Sequence, residues 1–129
     1  MARQEFSVDG YWRVIVWYDL DYGFSDVLVW ELEDIGIPED EGWEVLYELR
    51  HTAKAVTCSN EYRQVSVVLF NRHSSRRDYL NSIVHEAEHV KQAMLEAYGV
   101  EDRGEPPAYT IGYLVGRMWR VVKRILCSF

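Results

Sequence analysis

Cysteine is nearly absent from this chain: its 129 residues hold only Cys58 and Cys127. Two thiols imply no disulfide framework and make a reducing, cytoplasmic setting the expectation. Basic charge is also scarce. Fourteen Lys and Arg face 21 Asp and Glu, a net charge of −7, whereas a protein that grips phosphate backbones needs a basic footprint. A nucleic-acid partner is therefore not expected. No apolar run approaches the roughly 20 residues of a membrane span. The start, Met1-Ala2-Arg3-Gln4-Glu5-Phe6-Ser7, has no apolar stretch of the kind that marks a signal peptide, so no membrane association is expected. No repeat, low-complexity tract or linker divides the chain, and residues 1–129 read as a single domain. A composition 48% hydrophobic and 14% aromatic is globular and sufficient for a core.

Against these absences stands one motif, His85-Glu86-Ala87-Glu88-His89, which reads H-E-x-x-H. Residues four apart on a helix lie about 40° apart around the axis, so both imidazoles leave one face. Placed so, they can hold one Zn²⁺ at about 2.0–2.1 Å each. Glu86 follows the first histidine, where a carboxylate reaches a metal-bound water without ligating the ion, the general-base position of a zinc hydrolase. Chance alone yields the pattern in a chain of this composition on the order of 1% of the time, so its surroundings matter. Ser75-Arg76-Arg77-Asp78 reads as a capping box that starts the helix, and Gly99 as its stop. Leu80, Ile83, Val84, Ala87, Val90, Met94 and Tyr98 form an apolar stripe centred roughly 170° from the midpoint of the two histidines. The helix thus has an apolar back and a histidine-bearing front. Two surface histidines on an amphipathic helix remain the simpler alternative.

The other elements follow from pattern. Tyr11–Tyr18, Ala53–Cys58 and Gln64–Phe70 are rich in β-branched and aromatic residues and read as strands, the last two as a hairpin across the turn residues Ser59-Asn60-Glu61-Tyr62. Ser25 is placed to cap a helix from about Asp26 to Ile35, stopped by Gly36. Pro38 suits the first position of a second helix that ends near Arg50 and buries Trp43, Leu46 and Leu49. The acidic cluster Glu31, Glu33, Asp34, Glu39, Asp40 and Glu41 is a conceivable cation site, but a solvated helix face explains it more simply. Cys58 has no second cysteine at metal spacing and reads as a strand residue. The expected fold is α+β: a small three-stranded, mostly antiparallel sheet packed on helices, with the His85 helix central.

Gly104-Glu105-Pro106-Pro107-Ala108-Tyr109 opens a last helix. Glu105, Tyr109, Gly112 and Gly116 fall within roughly ±40° of one line along it. Two glycines four apart let a neighbouring helix approach, and the expected neighbour is the front of the histidine helix. That packing would bring Glu105 to His85 and His89 as a third ligand with one position left open. A carboxylate that merely caps the helix is the alternative for Glu105. Tyr109, one turn on, is a candidate donor to a developing oxyanion, with a packed aromatic as its alternative. His73 and His51 are weaker candidates of the same kind. The basic run Arg117–Leu126 reads as a membrane-surface or partner-binding helix, or more simply as one that buries Met118, Val121, Val122, Ile125 and Leu126.

The H-E-x-x-H helix followed by a Glu on the next helix resembles the gluzincin branch of the zincin metallopeptidases. More narrowly, Thr57-Cys58-Ser59-Asn60, Arg63, Asn81–His89 and Gly104–Tyr109 resemble small zincin-like proteins encoded by phages and prophages of gut bacteria. The likeness spans about residues 50–118, within a metal-site half of about 50–129. It implies that His85, His89 and Glu105 bind Zn²⁺ and that Glu86 is the general base. The loop between His89 and Glu105 is short for the classical peptidases, and no second domain closes a cleft. Two functions follow as expectations. One is a compact zinc-dependent hydrolase of the peptidase kind, which takes an extended peptide on the sheet edge near the strand ending at Phe70. The other is a non-catalytic, zinc-stabilised protein of a phage or mobile element that binds a protein partner.

Overall fold

The computed structural model describes all residues from Met1 to Phe129. Strict alternation of side chains governs its sheet. On β2 (Trp12–Tyr18), Trp12, Val14, Val16 and Tyr18 point to one side and Ile15 to the other; on β4 (Val65–Phe70), Val68 and Phe70 oppose Val65, Val67 and Leu69. Both strands are buried on both faces, as their nearly unbroken apolar sequences require. A strand covered on two sides needs helices on two sides. α1 (Ser25–Asp34) and α2 (Glu39–His51) cover the Ile15 side with Leu28, Val29, Leu32, Leu46 and Leu49. α3 (Arg76–Tyr98) and α4 (Glu105–Cys127) cover the other with Tyr79, Ile83, Ala87, Val90, Met94, Leu114, Met118 and Val122.

The sheet corrects the expected architecture. It has four strands in the order β1-β2-β4-β3, with β1 spanning Ala2–Val8 and β3 spanning Ala55–Asn60, and β2 and β4 run parallel. A three-stranded, mostly antiparallel sheet is therefore ruled out, although the α+β class stands. The missed strand, β1, pairs antiparallel with β2 and buries only Phe6 and Val8. It begins Ala2-Arg3-Gln4-Glu5, residues of low strand propensity. Asp9 and Gly10, both at positive φ (53° and 74°), make the tight turn into β2, and this Asp-Gly pair is a hairpin signal. The parallel pair arises because α1 and α2 carry the chain from β2 over one face before the β3–β4 hairpin returns.

The helix limits follow their caps. Ser75 Oγ accepts from the Asp78 N–H at 3.1 Å, and Gly99 ends α3 in the left-handed region at φ 68°. The stripe on α3 is narrower than expected, since Leu80, Val84 and Tyr98 are exposed. Ser25 is the first residue of α1 rather than its cap; its hydroxyl donates to the Tyr22 carbonyl. Pro38 precedes α2, and Trp43, expected inside, is exposed beside buried Leu46 and Leu49. Asn60 and Arg63 close the far end of α1, donating at 2.7 Å each to the carbonyls of Ile35 and Asp34. Of the apolar residues expected to be buried in the last helix, Met118 and Val122 are, and Val121, Ile125 and Leu126 pack partly buried against the same core. No helix is long and apolar enough to cross a membrane.

Candidate metal centre

The back of α3 is fixed against the sheet and α4, and this turns the histidines outward. His85 and His89 are exposed, and their Nε2 atoms lie 3.2 Å apart. Two ligands each about 2.05 Å from a common ion and 3.2 Å from each other subtend about 100° at it, close to the tetrahedral angle that zinc prefers. The same separation also brings the two ring nitrogens within hydrogen-bonding distance of each other. Glu86 joins them: its Oε2 lies 3.9 Å from His85 Nε2, and the three residues offer donor atoms within 4.8 Å of one another. This group could hold a metal ion.

Glu86 differs from its neighbours in being 5% exposed. One turn of helix separates the outward histidines, and the residue after the first points back toward β3. There Thr57 donates its hydroxyl to Glu86 Oε1 at 3.0 Å. β3 is one of the two edge strands, so the site lies where α3 passes that edge of the sheet. The strand ending at Phe70 is itself interior, paired on both sides, and the sheet edge beside it is Ala55–Asn60; β1 forms the other edge. Beside the site is a shallow hollow of about 270 Å³ lined by Lys54, Ala55, Asn81, Ser82, His85 and Glu86. Thr57 and Ser82 had no assigned role in the sequence, although both lie in the segments that carry the resemblance; in the structure Thr57 bonds Glu86 and Ser82 bonds His73.

The structure does not bring Glu105 or Tyr109 to this group. α3 and α4 form an antiparallel hairpin whose far end is fixed where Arg76 donates to the carbonyls of Leu126 and Phe129. In that register Glu105 lies level with about residue 97, some eight residues or about 12 Å along the axis from His89. It is exposed in the first turn of α4, and Tyr109 stacks on Tyr113 with ring centroids 6.4 Å apart. The line through Glu105, Tyr109, Gly112 and Gly116 faces away from α3. Pro107, Thr110, Leu114, Met118 and Val122 are the buried line, roughly 200° around from it. A Cβ added at Gly112 or Gly116 would meet nothing within 4 Å, so the glycines mediate no close helix approach.

Two other candidates have structural partners. His73 is held between the Asn71 carbonyl and Ser82 Oγ at 2.8 Å each. His51 packs its ring on Tyr47 at the end of α2. Cys58 packs toward the α1–α2 side, and its thiol is pushed up to about 11 by burial and secondarily by the charge of Glu86. Lys91, buried on α3, bonds Glu88 and, at 2.7 Å, Asp102, which ties the loop before α4 to α3. The chain matches no protein-family model, no curated protein and no solved structure, so what the site can do rests on these distances and this burial.

Proposed function

We propose that this protein binds zinc through His85 and His89 and acts as a compact zinc-dependent hydrolase on peptides, with Glu86 as its general base. The observation that carries the reading is the 3.2 Å separation of two exposed imidazole nitrogens beside a buried carboxylate held by Thr57. A bound ion would supply Lewis-acid polarisation of a carbonyl and a water of lowered pKa. The chain's own contribution is positional. Thr57 fixes one Glu86 oxygen, which leaves the other turned toward the histidines to take a proton. The free edge of β3 offers backbone N–H and C=O groups to an extended peptide alongside α3. Two unpaired cysteines suit a reducing cytoplasm. The third protein ligand is where the resemblance and the geometry diverge: the resemblance assigns Glu105, whereas Glu86 is the carboxylate that converges on the histidines.

Metal analysis followed by a peptide-library cleavage screen tests the proposal. Glu86→Gln retains shape and should lose turnover by about 10²–10⁴-fold. One observation favours a second reading, a zinc-stabilised protein that binds a partner without catalysis and belongs to a phage or mobile element. The hollow beside the site, about 270 Å³ and open, falls below the roughly 300–1,000 Å³ common for small-molecule pockets. Zinc binding without cleavage of any library member would favour it.

A further inference from the structure

A second hollow lies away from the histidine pair, at the carboxyl ends of the parallel strands. β2 and β4 end side by side: the Leu20 N–H donates to the Phe70 carbonyl at 3.1 Å, and Tyr22 bonds Asn71. From there the chain departs in opposite directions. After β2 it enters α1 and α2 on one face of the sheet; after β4 it enters α3 on the other. Adjacent parallel strands whose connections leave to opposite faces open a crevice between them, and in α/β sheets that crevice is where ligands bind. Here it is a cavity of about 340 Å³ lined by Asp19, Arg72, His73, Ile125, Ser128 and Phe129.

The chemistry of the lining is specific. Asp19 and Arg72 bring opposite charges to one small cavity, and neither forms an ion pair in the protein. Asp19 is held at φ 52°, in the left-handed region that a non-glycine residue occupies at some cost. Beneath the cavity the Tyr79 ring stands edge-on to His73 at 5.1 Å and tilted against Phe129 at 6.1 Å. Its hydroxyl is the one buried side-chain polar atom in the protein without a hydrogen-bond partner. Ile125 and Phe129 supply an apolar wall.

We infer that this crevice binds a small zwitterion of the amino-acid type, its ammonium on Asp19, its carboxylate on Arg72 and its apolar side chain against Ile125 and Phe129. The cavity has room for a molecule of that size. The inference is independent of the metal reading, because no residue of the crevice belongs to the histidine group. A free amino acid and a short peptide with both ends free carry the same charges, so the two sources must be separated by experiment.

The test is calorimetric titration of the whole protein with L-leucine, L-phenylalanine, 4-methylpentanoate, isopentylamine and glycyl-leucine. Leucine or phenylalanine should bind saturably. Loss of either the ammonium or the carboxylate should weaken binding at least about ten-fold, as befits a charge-assisted hydrogen bond. Asp19→Asn should erase the preference for leucine over 4-methylpentanoate, and Arg72→Gln that over isopentylamine. Asparagine is tolerated at positive φ and Arg72 is exposed, so both variants should keep the fold, which circular dichroism checks. Tighter binding of glycyl-leucine than of leucine identifies a peptide as the source, and the reverse a free amino acid; either supports the inference. Absence of saturable binding by leucine and phenylalanine overturns it, as does equal binding of leucine and 4-methylpentanoate.

Discussion

Thr57→Val isolates the contact that distinguishes Glu86 from an ordinary surface carboxylate. The substitution keeps the β-branched shape on β3 and removes the hydroxyl that donates to Glu86 Oε1 at 3.0 Å. Nothing replaces it: His85 Nε2, at 3.9 Å, is beyond hydrogen-bonding range. The same hydroxyl also lies 3.5 Å from the Glu86 carbonyl, a longer contact that competes for its one proton. A hydrogen bond to a charged, buried group contributes about 1.5–3 kcal/mol. In a chain of this size each kcal/mol shifts the melting temperature by about 3–5 °C, so the metal-free variant should melt about 5–15 °C lower. Thr57→Ser should recover most of that loss. In a Glu86→Gln background the acceptor is neutral, and the same Thr57→Val change should cost only about 0.5–1.5 kcal/mol. Urea denaturation of the four combinations measures the coupling. A cost below about 0.5 kcal/mol, or an equal cost in both backgrounds, would refute the idea that Thr57 holds a charged Glu86.

Gly112→Ala and Gly116→Ala should each stabilise by about 0.5–1 kcal/mol, because both glycines are helical and an added methyl meets nothing; Leu114→Ala, buried between them, should cost about 2–5 kcal/mol in the same thermal scan. Stability should also fall in mild acid through His73. Burial lowers its pKa, against the Asn71 carbonyl that raises it, with Lys54 lowering and Asp78 and Asp19 raising it further. The unfolded chain then takes up a proton near pH 6.5 that the folded one takes up only at lower pH. Urea midpoints should therefore hold steady above about pH 7 and drop as pH falls through about 6.5, with a shallower drop in His73→Gln.

What the sequence makes legible is local. Ser75 and Asp78, then Gly99, set the ends of α3 through bonds that span four residues or fewer, and the helix lies between them. Val65–Phe70 is so β-rich that its strand needs no context. Pairing is less local. β1 is half polar and held by its partner β2, and only Asp9-Gly10 announces it. The parallel junction of β2 with β4 depends on two whole helices between them. The candidate site divides the same way. His85, Glu86 and His89 lie within one turn and a half of helix and converge. Glu105 reaches them only if α4 presents its glycine line to α3, and the apolar line of Leu114, Met118 and Val122 competes for that position and occupies it. The hydrophobic arc outweighs the glycines because its burial is worth several kcal/mol per residue.

Zinc content per chain, determined for the wild type and four variants after dialysis against the metal, tests the central claim most directly. The pair geometry at 3.2 Å predicts one zinc per wild-type chain, loss or severe weakening in His85→Ala and His89→Ala, and retention in Glu86→Gln. Glu105→Ala decides the third ligand: loss of zinc would mean that Glu105 joins the shell, and retention would exclude it. A wild-type chain without zinc, or histidine variants that keep it, would contradict the account.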